Sequence, residues 1–155
     1  NSINHIKDKI KKEKAMVLGF GGASKAIIYA LIKFGFEEVL VFNRSQEKLK
    51  NITKLKQVNA ISYEDIYEKN KQCSIVINTT PINVLSMAAK GFENSFGYDV
   101  VYKPKETNFL TNFKKDKKLY GITMLVYQAA PCFEAWYGVR PKIDKEIFEI
   151  LERFI

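Results

Sequence analysis

Directly after the short apolar run Ala15-Met16-Val17-Leu18, the sequence reads Gly19-Phe20-Gly21-Gly22-Ala23-Ser24. Glycines there let the backbone turn sharply and leave no Cβ between its N–H groups and an approaching anion. Gly19 permits the turn out of the strand, Gly21 the close approach, and Ser24, small at the third position, the tight packing of helix on strand. A helix opening at Ala23 then presents unpaired amides and the positive end of its dipole. That is the chemistry of a pyrophosphate cradle, and the segment reads as a dinucleotide-binding loop.

A second cluster follows about 20 residues on, where NAD-binding loops of this kind carry Asp or Glu for the ribose 2′-OH. Asn43 stands there, followed by Arg44, Ser45 and Lys48. A carboxylate would repel a 2′-phosphate, whereas an amide, a guanidinium, a hydroxyl and an ammonium one turn away attract it. The pattern therefore selects NADP(H) over NAD(H). Ser45 also suits a helix N-cap, so a capped helix with solvated cations satisfies the same residues.

Acid–base and metal chemistry are not visible. His5 is the only histidine and lies in the charged N-terminal segment, where it reads as a surface residue. Cys73 and Cys132 show neither disulfide nor metal-ligand spacing and read as two buried free thiols. The net charge of +8 raises the question of nucleic acid. The positive residues are nearly all lysines spread along the chain, the arginines being Arg44, Arg140 and Arg153, and this spread argues against a nucleic-acid surface.

The elements that must position these residues alternate. Short apolar runs at Ala15–Leu18, Glu38–Phe42, Ala60–Ser62, Ser74–Asn78, Tyr98–Val101 and Leu119–Gly121 predict strands. Amphipathic stretches at 23–34, 46–56, 63–70, 108–113, 123–137 and 144–154 predict helices, with Lys7–Lys14 as the exposed end of another and an irregular stretch from Ser86 to Asn94. Gly35 stops the first helix, and Pro131 is expected to kink or divide the fifth. Strands apolar on both faces and alternating with helices imply α/β class: a doubly wound, mostly parallel, Rossmann-like sheet of about six strands flanked by helices. No linker or repeat interrupts residues 1–155, which read as a single NADP-binding domain. No apolar stretch reaches the roughly 18 residues of a membrane span, so the chain reads as soluble and cytoplasmic. It opens at Asn1 without a start methionine, which suggests a fragment or processed domain.

With these residues in view, the chain resembles the shikimate dehydrogenase family, in its C-terminal nucleotide domain, over nearly its whole length. The stretches that carry the resemblance are Gly19–Ser24, Asn43-Arg44-Ser45 with Lys48, and Asn78-Thr79-Thr80-Pro81. To these are added Asp99-Val100-Val101-Tyr102 with Pro104 and Thr107, Gly121–Ala130, Phe133-Glu134 and Trp136-Tyr137-Gly138. The resemblance implies that Gly19, Phe20, Gly21, Gly22, Ala23 and Ser24 hold the pyrophosphate and that Asn43, Arg44, Ser45 and Lys48 hold the 2′-phosphate. It implies that Thr79 or Thr80 lies along the cofactor, that Val100 and Gly121 border the nicotinamide, and that Tyr102 and Gln128 reach the substrate. Trp136 reads as a packing residue.

The reaction so implied is the reversible, NADPH-dependent reduction of 3-dehydroshikimate to shikimate, a step towards chorismate and the aromatic amino acids. Quinate-type dehydrogenation and a non-catalytic NADP(H)-binding module fit the same residues. No catalytic residue can be named, because the family's catalytic lysine and aspartate belong to an N-terminal substrate domain that no stretch of this chain matches. That domain is the partner expected, together with the small-molecule substrate, and the isolated chain is expected to be inactive. Two departures stand out. Asn83 replaces a common glycine and is expected to accept a left-handed turn, and Pro131 puts a proline near Gln128.

Overall fold

The computed structural model describes residues 3–6, 8–50, 52, 55–85 and 91–154. Its centre is β1 (Lys14–Leu18), in which every residue after Lys14 is buried. Around it lie β2 (Glu38–Phe42), β3 (Val58–Ile61), β4 (Ile75–Asn78), β5 (Phe96–Asp99) and β6 (Lys118–Tyr120). The order is β3-β2-β1-β4-β5-β6, and every pairing is parallel. This is the expected doubly wound, Rossmann-like sheet.

Side chains alternate across a strand, so each strand feeds two layers. Ala15, Val17, Val39, Val41, Ile75 and Ile77 join one core, with Ile28 and Leu31 of α1 (Gly22–Phe34) packed on them. Met16, Leu18, Leu40, Phe42 and Val76 join the other, with Ile66 of α2 (Tyr63–Lys69) and the aromatic group Phe92, Phe109 and Phe113. Each side chain of this size stabilises the sheet by roughly 1.5–3 kcal/mol when fully buried. The chain reverses direction of build-up at β1, whose neighbours are β2 on one side and β4 on the other. Open α/β sheets bind ligands at such a switch point, beyond the carboxyl ends of the strands.

Several boundaries differ from the expectations, each for a local reason. The helix expected over 46–56 is a 3-10 turn, Gln46–Leu49, and residues 51, 53 and 54 lie outside the described residues. Asn, Ile and Thr follow in sequence, all weak helix formers, and the Gln46 side chain is tied to the carbonyls of Asn43 and Ile61. The helix expected over 108–113 is likewise a 3-10 turn, Leu110–Asn112, because Thr111 and Asn112 bond the carbonyls that a helix would use. Residues 8–13 form turns and bends rather than a helix end, with Ile6 and Ile10 buried at their flanks; residue 7 lies outside the described residues. Ser62 leaves β3 to cap α2, accepting from the Asp65 amide at 3.2 Å.

α3 (Ile122–Tyr137) runs undivided through Pro131. One proline removes one donor, and the bonds at both ends survive, Leu125 to Gly121 and Gly138 to Glu134. α4 (Lys145–Leu151) is shorter than expected and is capped by Asp144. Gly35 ends α1 in the left-handed conformation, φ 98°, as expected.

Candidate functional site

The parallel register lines up the carboxyl ends of five strands: Leu18 beside Phe42 and Asn78, Asn78 beside Asp99, Asp99 beside Tyr120. From Leu18 the chain enters Gly19 at φ 104°, where a Cβ would also stand 2.5 Å from Thr79 Oγ1 and 2.8 Å from Thr80 Cγ2. Only glycine fits on both counts. Around Gly21 and Gly22 the opposite holds: an added Cβ would meet only Ser24 Oγ, at 4.0 Å, or nothing. The open face of the loop is thus space for a ligand rather than for packing.

Gly21, which has no side chain of its own, caps α1, and the first turn carries no acidic residue. Ser24 is fully buried, and its hydroxyl accepts from the Gly21 amide at 2.6 Å. That bond, with the Ser24 hydroxyl also within 3.2 Å of the Gly21 carbonyl, holds the loop in shape. The local positive field and the absent Cβ atoms suit a dinucleotide pyrophosphate.

At the end of β2, Asn43 donates from Nδ2 to the Ser45 carbonyl at 2.9 Å and so shapes the turn. Ser45 sits at the N-cap position of the Gln46–Leu49 turn, but its hydroxyl makes no cap bond. Arg44 and Lys48 are exposed, and among the described residues neither is held in an ion pair. Lys48 and Phe20 line one cavity of about 330 Å³ with Lys25 and Tyr29. The glycine loop and Lys48 are therefore neighbours in space.

Beyond β4, Thr79 donates its hydroxyl to the Leu18 carbonyl at 2.8 Å, which pins the start of that loop to the end of β1. Thr80 is bound through its amide and hydroxyl to Asn78 Oδ1, at 3.1 and 2.7 Å. Beyond β5, Val100 abuts Gly121, where a Cβ would strike the Val100 carbonyl. Tyr102 is exposed in the same loop. Gln128 lies apart, exposed on α3 in a groove of about 630 Å³ with Phe133 and Trp136. Asn83 is not left-handed; its side chain accepts from the Leu85 amide at 3.1 Å and turns the chain that way.

A family model described as shikimate / quinate 5-dehydrogenase matches residues 2–95. The chain belongs to this family. It is 36% identical over 151 residues to shikimate dehydrogenase (NADP(+)) of Dictyoglomus turgidum, covering 89% of this chain and 52% of that protein. The same enzyme of Bartonella tribocorum is 33% identical over 149 residues, covering 87% of this chain and 51% of that protein. Among solved structures, the shikimate 5-dehydrogenase of Thermus thermophilus in complex with NADP(H) and shikimate superposes with a TM-score of 0.72. It is 28% identical, covering 91% of this chain and 55% of that one. The chain spans about half the length of the curated relatives it matches.

Within this family frame, three features had no role assigned from sequence. Lys25, in the first turn of α1, brings its ammonium over the Phe20 ring, 5.4 Å from the centroid, beside the loop. Gln46 ties the turn after β2 to β3. Asn78, Asp99 and Thr107 form a buried polar cluster between the strand ends. A lysine directly after the glycine-loop serine, and an Asn and an Asp ending two apolar strands, were the available signals.

Cys73 is buried, and burial pushes its thiol up to about 12, which leaves it inert. Cys132 is exposed, contrary to the expectation of two buried thiols, because it lies on the unpacked half of α3. No metal-holding group of residues occurs among those described, nor any helix long and apolar enough to cross a membrane. The His5 side chain lies outside the described residues. A cavity of about 760 Å³ opens at the other end of the strands, where Lys14 and Phe96 begin β1 and β5 and Ser74 precedes β4.

Proposed function

We propose that this chain is the NADP(H)-binding domain, residues 1–155, of a shikimate dehydrogenase. The observation that carries the reading is the conjunction of an open glycine loop, tied through the Gly19 amide to the end of β2, with Arg44 and Lys48 in the turn that follows β2, in no ion pair among the described residues, in a chain of this family. Gly19, Phe20, Gly21, Gly22, Ala23 and Ser24 hold the pyrophosphate on the amides of α1. Arg44 and Lys48 pair with the 2′-phosphate, and Asn43 and Ser45 add an amide and a hydroxyl. Thr79 or Thr80 runs along the cofactor, and Val100 and Gly121 border the nicotinamide. Bound there, NADP(H) supplies the hydride for reversible reduction of 3-dehydroshikimate to shikimate, on the route to the aromatic amino acids.

Tyr102 and Gln128 serve the substrate side of the cleft, orienting its hydroxyl or carboxylate groups. Neither supplies the acid–base pair, which belongs to the half of the family's length that this chain does not span. That half takes its place against the exposed apolar face of α3 and α4. Phe133, Trp136, Tyr137, Val139, Ile150 and Phe154 are all exposed there, and α4 has no buried residue.

Calorimetric titration with NADP(H) and NAD(H) tests the reading. NADP(H) binds more tightly, and Arg44→Ala weakens it by roughly 1.5–3 kcal/mol, about ten- to a hundredfold in Kd, while NAD(H) binding changes little. Equal affinities, or an equal loss for both cofactors, would show that Arg44 does not read the 2′-phosphate.

A further inference from the structure

Asp99 ends β5 only 1% exposed, with no cation among the partners of its carboxylate. Three neutral donors hold it instead. Oδ1 accepts from Asn78 Nδ2 and from the Val101 amide, each at 3.0 Å, and Oδ2 accepts from the Thr107 hydroxyl at 2.6 Å. Asn78, itself 1% exposed at the end of β4, passes the connection on: its Oδ1 accepts from the Thr80 amide and hydroxyl, and its Nδ2 also reaches the Thr80 carbonyl at 3.1 Å. The result is an unbroken run of side chains, Thr107–Asp99–Asn78–Thr80, that bridges the loops leaving two adjacent strands.

A buried carboxylate without a counter-ion is an expensive way to stabilise a fold, since apolar replacements of similar volume are commonly neutral or better. What the carboxylate does supply is geometry. Its two oxygens fix where the chain leaves β5, and hence where Val100 and Tyr102 stand, relative to Thr80 on the loop from β4. Val100 in turn abuts Gly121 at the start of α3. The loops after β4 and β5 and the start of α3 thus meet around one side chain.

We infer that Asp99 is a positioning residue: through Asn78 and Thr107 it holds the Thr80 and Val100–Tyr102 loops at the spacing that receives the nicotinamide end of the cofactor. The inference rests on the reading of the strand ends as the NADP(H) site. Asp99→Asn is the conservative variant, because an amide oxygen still accepts from Asn78 and Val101 while its NH2 donates to a Thr107 hydroxyl turned to accept. Asp99→Ala removes every one of these bonds.

The probes are NADPH, followed by the fluorescence of its reduced nicotinamide, and 2′,5′-ADP, which carries only the adenosine end. In the 155-residue chain, Asp99→Ala is expected to weaken NADPH about tenfold, the scale of a lost hydrogen bond to a charged group, and to abolish the fluorescence change. Binding of 2′,5′-ADP is expected to stay within about twofold of the parent, and Asp99→Asn to restore NADPH binding and its signal. Amide exchange supplies a readout that needs no ligand: Thr80 and Val101 should lose protection together in Asp99→Ala and regain it in Asp99→Asn, with β1 and β2 unchanged. Unaltered NADPH binding in Asp99→Ala, an equal loss of 2′,5′-ADP, failure of Asp99→Asn to rescue, or a Thr80 amide indifferent to Asp99 would each overturn the inference. A parent chain that binds neither probe would instead overturn the NADP(H) reading, and the inference with it.

Discussion

Gly19 concentrates the constraints on a single residue. It needs a positive φ, and its missing Cβ makes room for Thr79 and Thr80, so strain and collision act together in any substitution. Gly19→Ala should lower stability by about 1–3 kcal/mol and weaken NADP(H) as the loop shifts, read as a falling urea midpoint and a rising Kd. Gly22→Ala, with nothing within 4 Å of the new Cβ, is the control that should leave the urea midpoint nearly unchanged. Asp99 makes a second residue-scale prediction. Burial raises its pKa above the ordinary value of 3.8, so across that window the folded chain holds the proton that the unfolded chain has released. Stability from this group is therefore greatest at low pH and is lost as pH rises through the raised folded value. The stability of Asp99→Asn relative to the parent should accordingly improve with rising pH over that window in urea titrations, and a pH-independent difference would refute the assignment.

At the scale of elements, α1 does two jobs with opposite faces. Ile28 and Leu31 anchor it in the core against Val17 and Val39, while its first turn carries no acidic residue and stands at the proposed cofactor site. Leu31→Ala should cost about 2–5 kcal/mol by the cavity it leaves, and it lies two turns from the amides proposed to meet the pyrophosphate. Under conditions where the variant is folded, NADP(H) affinity should therefore remain near that of the parent. A matched loss of affinity in the folded variant would mean that the loop is not independent of the packing beneath it. The expected helix over 46–56 shows the limit of local patterning. Gln46 bonds to Ile61 across the sheet edge, a partner fifteen residues away that no helical period reveals.

For the whole molecule, the uneven distribution of exposed aromatics is informative. The sheet is covered on both sides, yet Trp136 is 77% exposed and the second half of α3 has no buried residue after Ala130. If this face receives the half of the enzyme that supplies acid–base groups, the chain alone should bind NADP(H) and yet show no measurable NADP⁺ reduction by shikimate. Positioning and proton transfer would both be missing, and general acid–base catalysis alone contributes about 10²–10⁴-fold. Robust turnover by these 155 residues would show that a catalytic group lies within them. Trp136 is the only tryptophan, so its emission should shift to the blue when a substrate-binding half is joined to the chain, and Phe133→Asp should oppose that shift.

The strands, the parallel class of their sheet and the glycine loop were legible in the sequence because their signals lie along the chain: apolar runs of strand length alternating with helices, Gly35 as a stop, glycines where a turn must leave room. The choice of Asn43-Arg44-Ser45 over an acidic residue is legible in the same way, since charge at a known distance from the loop needs no coordinates. What only the tertiary structure decided is which polar residues meet. Asn78, Asp99 and Thr107 are separated by 21 and 8 positions, and nothing in their spacing requires one carboxylate to join them. Their meeting follows from the parallel register that sets Asn78 beside Asp99. The exposure of Cys132 and Trp136 was equally hidden. An apolar helix face looks the same in sequence whether it packs on its own sheet or waits for another surface, and burial is a property of the neighbours that the fold supplies.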